Sequence, residues 1–208
     1  MPGRPEAQAW LKAPGPVAPG LRIGLLGGSF NPAHEGHLHV SEVALKRLGL
    51  DYVWWLVSPQ NPLKAAAEIA PLQQRIVRAR KTAGRYPRLR VSDIETQMGT
   101  RYTIDTIERL KTRFPQVHFV WLMGSDNLLT FHRWRSWQRL VKALPIAVVM
   151  RPGTILAPLT ARVAQRVARL RTPQCERMLA TTRPPALAVL EARRSNASAT
   201  ALRQRRLG

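Results

Sequence analysis

Residues 21–40 read LRIGLLGGSFNPAHEGHLHV, and this stretch decides the fold. The apolar run Ile23–Leu26 is typical of a buried parallel strand. Gly27–Gly28 follow it, and without a Cβ atom the backbone there can approach a ligand closely. From Glu35 onward apolar residues recur at helical spacing, which predicts a helix that ends at Gly49. A strand, a glycine turn and a helix N-terminus in this order form a phosphate-binding arrangement.

Two histidines in this stretch are the candidate catalytic residues. His34 and His37 stand three positions apart at the expected helix start, so their side chains share one face. Both can reach an anion over the helix N-terminus, and Gly36 keeps space between them. A protonated or doubly hydrogen-bonded imidazole stabilises charge that builds on a phosphoryl group. The alternative interpretation is an ordinary glycine turn with two polar histidines.

The pattern GGSFNPxHxGH, over Gly27–His37, resembles the (H/T)xGH signature of the nucleotidylyltransferase superfamily. It is most similar to the form found in bacterial nicotinate-nucleotide adenylyltransferases. That resemblance implies transfer of AMP from ATP to nicotinate mononucleotide, which yields deamido-NAD and pyrophosphate. It implies that His34 and His37 act on the α-phosphate of ATP, with Mg²⁺ carried by the ATP phosphates.

Motifs at the ends of later predicted strands extend the resemblance to about residues 21–204. They are a Pro-x-x-Lys-type loop at Lys64, the run RYTIDT over 101–106, GSDN over 124–127 and WRSW over 134–137. The run ASATALR over 197–203 is similar to the second family signature, ISSTxIR, although Ala197 and Ala199 replace Ile and Ser. That run would be a second phosphate cradle at the start of a final helix.

The resemblance divides the candidate residues between the two substrates. It implies an ATP site made of Gly27, Gly28, Ser29, Phe30, His34, His37, Gly124, Asp126, Ser198, Thr200 and Arg203. It implies a nicotinate mononucleotide site made of Asn31, Lys64, Tyr102, Thr103, Asp105 and Trp134.

Structural roles compete with these assignments. Lys64 could be a solvated surface lysine. Thr103 is a plausible N-cap of a helix over 104–113, and Asp126 could merely cap its own helix. The two tryptophans of the WRSW run share a helix face, which favours core packing for Trp137 and leaves Trp134 as the candidate ring contact. Ser198 could cap a basic C-terminal helix and nothing more.

Strands and helices alternate along the chain, which predicts a single α/β domain over 21–208 with a Rossmann-like, doubly wound parallel sheet. We expect about six strands, near 21–27, 52–57, 89–91, 117–122, 145–150 and 186–190. Helices are expected over 71–84, 104–113 and 160–170, with irregular chain from Pro173 to Pro185. Residues 1–20 are rich in Pro, Gly and Ala and are expected to form a flexible extension. The dinucleotide fingerprint GxGxxG is absent from the sequence.

The composition limits the class of protein. The 208 residues are 45% hydrophobic, and Cys175 is the single cysteine, so an internal disulfide and a cysteine-rich zinc site are excluded. No apolar run is long enough to span a membrane, and no secretory signal is visible. We therefore expect a cytoplasmic protein with no membrane partner. A homo-oligomer remains open.

The net charge of +21 raises nucleic-acid binding as a rival function. The positive residues are spread along the chain, and most tryptophans fall in apolar strands or on a helix face. A specific nucleic-acid partner is therefore not expected. The nearer rival is the same chemistry with another acceptor, namely nicotinamide mononucleotide, phosphopantetheine or the acceptor of a cytidylyl transfer. The RYTIDT and GSDN runs favour the nicotinate form.

Overall fold

A seven-stranded parallel sheet forms the centre of the molecule. The computed structural model describes residues 12–59, 69–150, 168–170 and 173–191. The strands are β1 Arg22–Gly28, β2 Tyr52–Val57, β3 Leu89–Ser92, β4 His118–Gly124, β5 Ile146–Val149, β6 Ala168–Leu170 and β7 Ala186–Leu190. Their spatial order is β3-β2-β1-β4-β5-β7-β6.

Helices connect and cover the strands. They are α1 Glu35–Arg47, α2 Leu72–Ala83, α3 Ile94–Gln97, α4 Thr103–Arg113, α5 Ser125–Thr130, α6 Trp137–Ala143 and α7 Pro173–Met178. Single 3₁₀ turns follow α5 over Phe131–Arg133 and α7 over Leu179–Thr181. The predicted Rossmann-like α/β fold is confirmed.

Both faces of the sheet are buried, because apolar runs fill the central strands. In β2 the four residues Val53–Leu56 have no exposed surface, and alternate side chains enter opposite cores. Trp54 packs in the core under α4 and α6, whereas Trp55 packs in the core under α1 and α2. Burial on both faces is the reason that strands of a parallel sheet are continuous apolar runs.

The strand order reverses between β1 and β4, and this places the site. The chain runs outward from β1 to β2 and β3, then returns to form β4 on the other side of β1. In open α/β sheets, ligands bind at the carboxyl ends of the strands where the order reverses. Gly28 ends β1 and Gly124 ends β4, so both lie at that crevice.

The region before β7 corrects two predictions. Residues 168–170, predicted as the end of a helix, form β6 and pair with Ala186–Ala188. The pairing with β7 outweighs the weak helical preference of three residues. Pro173, predicted to begin irregular chain, instead starts α7, since proline suits the first position of a helix. The sheet therefore has seven strands where about six were expected.

The segment before β1 is hydrogen-bonded to the chain before β4. Residues 12–20 contain no helix or strand, and the Gly20 N–H donates a 2.9 Å hydrogen bond to the Gln116 carbonyl. No helix within the described ranges is long and apolar enough to cross a membrane.

Candidate functional site

The start of α1 holds the two candidate catalytic histidines in a reciprocal cap. His34 is the N-cap residue, and its Nδ1 accepts a 3.0 Å hydrogen bond from the Gly36 N–H. The Nδ1 atom of His37 accepts a 3.2 Å bond from the His34 N–H. The two ring centroids are 4.0 Å apart. The predicted placement of both histidines together at a helix N-terminus is thus what the structure has.

This cap fixes the tautomer of both rings. A backbone N–H can only donate, so each Nδ1 must be the unprotonated nitrogen and each ring proton lies on Nε2. In this arrangement both imidazoles are neutral, and Nε2–H is the group of each that can donate to a phosphate oxygen. The two rings therefore offer hydrogen bonds and no formal charge.

A buried aromatic stack supports His37 from below. The His37 ring lies 4.6 Å from the Phe30 ring, which itself stacks on Trp55 at 5.1 Å. The Trp55 Nε1–H donates to the Ser41 Oγ, and the Ser41 hydroxyl donates to the His37 carbonyl, both at 2.8 Å. Only 1% of Phe30 is exposed. Any contact of Phe30 with ATP must therefore come from its backbone, which has a φ of 46°.

The two glycines at the end of β1 have different reasons to be glycine. A Cβ on Gly27 would lie 2.5 Å from the Trp121 ring, so this position is filled by the protein itself. A Cβ on Gly28 would have the Phe30 ring as its nearest neighbour, at an ordinary contact distance of 3.5 Å. The expectation of close ligand approach therefore fits Gly28, whereas Gly27 is constrained by packing against β4. Ser29 follows and is half-buried.

The end of β4 lies next to the end of β1. Gly124 is the N-cap position of α5, and Asp126 is exposed in the first turn of that helix. Because the N-cap residue Gly124 has no side chain, it supplies no side-chain cap, and the alternative role of Asp126 as a cap of this helix stays open. Asp126 is placed at the crevice with its carboxylate on the surface.

A second cluster lies on the other face of the sheet. Tyr102 is the N-cap position of α4 and Thr103 is its first helical residue, so the predicted cap at Thr103 is wrong by one position. The Trp134 ring contacts the Trp121 ring edge-on at 6.0 Å, and the Arg135 guanidinium lies 4.3 Å over the Tyr102 ring. Asp105, in the first turn of α4, is half-buried.

Trp121 connects this cluster to the glycine turn, because its ring touches both Gly27 and Trp134. Trp134 therefore takes part in core packing. Trp137, which was expected to be a core residue, packs on Phe131 at 6.4 Å between ring centroids.

The remaining predicted residues are placed as follows. The Asn31 Oδ1 accepts a 3.3 Å bond from the Ala70 N–H, which ties the turn after β1 to the chain before α2. Four candidates lie outside the described residues: Lys64, Ser198, Thr200 and Arg203.

Sequence reasoning missed two buried charged residues beside the site. Arg75 on α2 is 1% exposed, although the sequence shows it only as one of the positive residues that are spread along the chain. Its spacing from the apolar Leu72 and Ala79, three and four positions away, was the available signal. Glu95 on α3 is 6% exposed, and burial raises its pKa to about 7 while a hydrogen bond from Ser58 opposes the rise.

Comparisons with known proteins show the family of the chain. A family model described as cytidylyltransferase-like matches residues 25–205. A protein of Parvibaculum lavamentivorans named probable nicotinate-nucleotide adenylyltransferase is 52% identical over 193 residues, covering 91% of this chain and 94% of its own. A protein of Methylorubrum extorquens with the same name is 52% identical over 186 residues, covering 89% of this chain and 100% of its own.

Solved structures show the same fold. The nicotinic acid mononucleotide adenylyltransferase of Plasmodium falciparum, complexed with NaAD, aligns with a TM-score of 0.66 over 88% of this chain and 83% of its own, at 14% identity. At this identity the likeness concerns the fold alone. The family match and the curated relatives together cover nearly the whole described domain, and the chain belongs to the cytidylyltransferase-like family and, within it, to the nicotinate-nucleotide adenylyltransferases.

Proposed function

We propose that the protein transfers AMP from ATP to nicotinate mononucleotide, giving deamido-NAD and pyrophosphate. The observation that carries the proposal is the reciprocal cap of His34 and His37, which gives both rings an Nε2–H donor at the N-terminus of α1. Such donors suit the negative charge that grows on an α-phosphate during transfer. The names of the relatives supply the pair of substrates.

The reaction is an in-line displacement at phosphorus. An oxygen of the mononucleotide's 5′-phosphate attacks the α-phosphorus, the bond from that phosphorus to the bridging oxygen breaks, and pyrophosphate leaves with that oxygen. No protein nucleophile takes part, so catalysis consists of positioning and charge stabilisation. His34 and His37 act on the α-phosphate, and the backbone of Gly28 and Ser29 lies beside it.

The other ATP contacts belong to the same proposal. Gly124 and Asp126 face the nucleoside from the end of β4, and the Asp126 carboxylate suits the hydroxyl groups of a ribose. The β- and γ-phosphates are assigned to hydroxyl and guanidinium donors of the second signature: Ser198, Thr200 and Arg203.

The mononucleotide is assigned to the second cluster. The half-buried rings of Trp134 and Tyr102 are assigned to the nicotinate mononucleotide pocket, and Thr103 lies at the start of α4, where backbone N–H groups favour an anion. Asn31, Asp105 and Lys64 complete the assigned set, in which Lys64 would contact the phosphate.

Mg²⁺ enters as part of the ATP substrate. No cluster of three or more His, Cys, Asp or Glu side chains suited to a metal occurs in the described ranges. Magnesium binds readily through substrate phosphates with few protein ligands, and the phosphates of ATP are the proposed carriers.

The test is pyrophosphate release from ATP and Mg²⁺ with nicotinate mononucleotide and nicotinamide mononucleotide offered separately. We expect pyrophosphate release when ATP and a mononucleotide are both present, with a strong preference for nicotinate mononucleotide. Release with nicotinamide mononucleotide alone would show that the acceptor is the amide and not the acid form of the mononucleotide. Release with neither, combined with salt-sensitive binding to DNA, would favour the rival nucleic-acid function.

A further inference from the structure

Arg75 lies between the turn after β1 and the segment that leaves β2, and its side chain is hydrogen-bonded to both. Its Nη1 donates to the carbonyl oxygens of Ser29 and Ser58, each at 2.7 Å. Its Nη2 donates to the Pro59 carbonyl at 2.9 Å, and its Nε donates to the Ala70 carbonyl at 2.8 Å. Ser29 belongs to the turn after β1, whereas Ser58–Pro59 is the segment that leaves β2.

The guanidinium is fully buried, and four of its five N–H groups are used by these carbonyls. Within the described ranges Arg75 makes no ion pair. Burial lowers the pKa of this guanidinium, which shows that its charge is held at a cost in solvation. A residue kept only for packing could be apolar, since α2 already buries Ile76 and Ala79 in the same core.

Other contacts hold the turn after β1 to its neighbours. The Ser58 N–H donates a 2.9 Å bond to the Gly28 carbonyl, and the Asn31 side chain accepts from Ala70. The chain immediately after β1 is thus fixed to the segment leaving β2 by a backbone bond and by Arg75, and to the entry of α2 by Asn31. Among these ties Arg75 is the one that reaches both segments and the entry to α2 at once.

We propose that Arg75 is a positioning residue for nucleotidyl transfer: it holds the turn after β1 and the segment leaving β2 at one spacing, so that the two bound substrates meet in line. This inference rests on the proposed function. It does not require Arg75 to touch either substrate.

The geometry explains why arginine is needed. A guanidinium presents donors in a fixed planar fork, so one side chain can reach four carbonyls in different directions. A lysine keeps the charge but has a single nitrogen, and it cannot reproduce the fork. Arg75→Lys therefore separates the charge from the geometry, while Arg75→Met removes both and keeps most of the stem.

The test compares four proteins: wild type, Arg75→Lys, Arg75→Met and the matched control Arg78→Met, which removes an exposed arginine from the same helix. Pyrophosphate release gives kcat and both KM values. Thermal unfolding gives the folded fraction, and calorimetry gives the affinity for a non-hydrolysable ATP analogue. We expect Arg75→Lys to fold, to bind the analogue as wild type does, and to lose about 10²-fold in kcat, because a displacement near 1 Å costs that much.

Several results would overturn the role of Arg75. They are a kcat of Arg75→Lys close to wild type, a loss that matches the unfolded fraction, a loss found entirely in analogue affinity, or failure of both variants to fold. A loss of kcat equally large in Arg78→Met would also contradict it. If the wild type itself does not use nicotinate mononucleotide, the proposed function fails instead. The kcat of the Arg75 variants and of the wild type is then compared in assays with the acceptor that the wild type uses.

Discussion

His34 has two separate tasks in this structure, since Nδ1 caps α1 and Nε2–H is assigned to the α-phosphate. Asparagine is a strong N-cap but lacks the second ring nitrogen. We expect His34→Asn to keep the stability of the wild type and to lose about 10²–10³-fold in turnover. His34→Ala should lose turnover similarly and also about 1 kcal/mol of unfolding free energy. Pyrophosphate release and urea unfolding check both variants.

His37 provides the comparison at the same site. We expect His37→Ala to remain folded and to lose about 10²–10³-fold in kcat, because one transition-state donor is removed. A similar substitution of the exposed His132, on the 3₁₀ turn after α5, serves as the control and should leave kcat unchanged. Near-normal turnover of His37→Ala would contradict the role given to this residue.

Gly27 and Gly28 form a matched pair for a third prediction. We expect Gly27→Ala to lower the unfolding free energy by about 1–3 kcal/mol, because its methyl group would meet the buried Trp121 ring. Gly28→Ala should keep its stability and raise the KM for ATP by about tenfold or more, since one methyl group would occupy ligand space. The opposite pattern, with a stable Gly27→Ala and an unstable Gly28→Ala, would contradict both assignments.

The burial of Glu95 on α3 should make the stability of the protein depend on pH. The folded pKa of Glu95 is about 7, above the ordinary value of a glutamate, so the folded protein holds this proton more tightly than the unfolded chain. The stabilisation of the fold by the protonated Glu95 carboxyl is complete below about pH 4, near the pKa of this group in the unfolded chain. It is lost as the pH rises through the folded pKa of about 7.

Glu95→Gln removes this titration. We expect the variant to match the wild type near pH 4.5 and to be more stable by about 1–3 kcal/mol at pH 8.5, measured by urea unfolding. The control is Glu108→Gln, which alters an exposed pair with Arg139 and should change little at either pH. An equal stability difference at both pH values would show that Glu95 does not titrate as described.

The contact between α1 and α7 gives a second prediction at the scale of secondary-structure elements. Glu176 is 3% exposed, and both of its oxygens accept from the Arg47 guanidinium at 2.8 Å. The Arg47 side chain is 33% exposed, so water can partly replace the lost carboxylate, and Glu176→Gln should cost about 1–3 kcal/mol. Turnover per folded molecule should stay unchanged, because α7 lies away from the strand ends at the crevice. A loss of kcat without loss of stability would contradict this purely structural role.

At the scale of the whole molecule, the sequence predicts those features of the fold and the site that depend on a local pattern of residues. β1 to β5 and β7 are continuous apolar runs, and the structure has them within a few residues of the expected bounds. The pairing of His34 and His37 follows from their spacing at a helix start. The doubly wound parallel arrangement follows from the alternation of strands and helices, whereas the order of the strands is known only from the structure.

The missed features depend on partners far away in the chain. β6 exists because three residues pair with β7, and nothing in those residues alone specifies it. The constraint on Gly27 comes from Trp121, and the role of Arg75 comes from carbonyls on three separate segments. Burial of Glu95 likewise depends on its surroundings in the fold. Such tertiary contacts are not encoded in a local pattern.

The contact of Gly27 with Trp121 also restricts how this chain can diverge. A side chain at position 27 needs the volume that the indole ring occupies, so a larger residue there becomes acceptable only after position 121 has become smaller. The change at position 121 can come first, because shrinking Trp121 leaves a cavity but no clash. The two positions should therefore be inherited as a pair, with the change at 121 coming first.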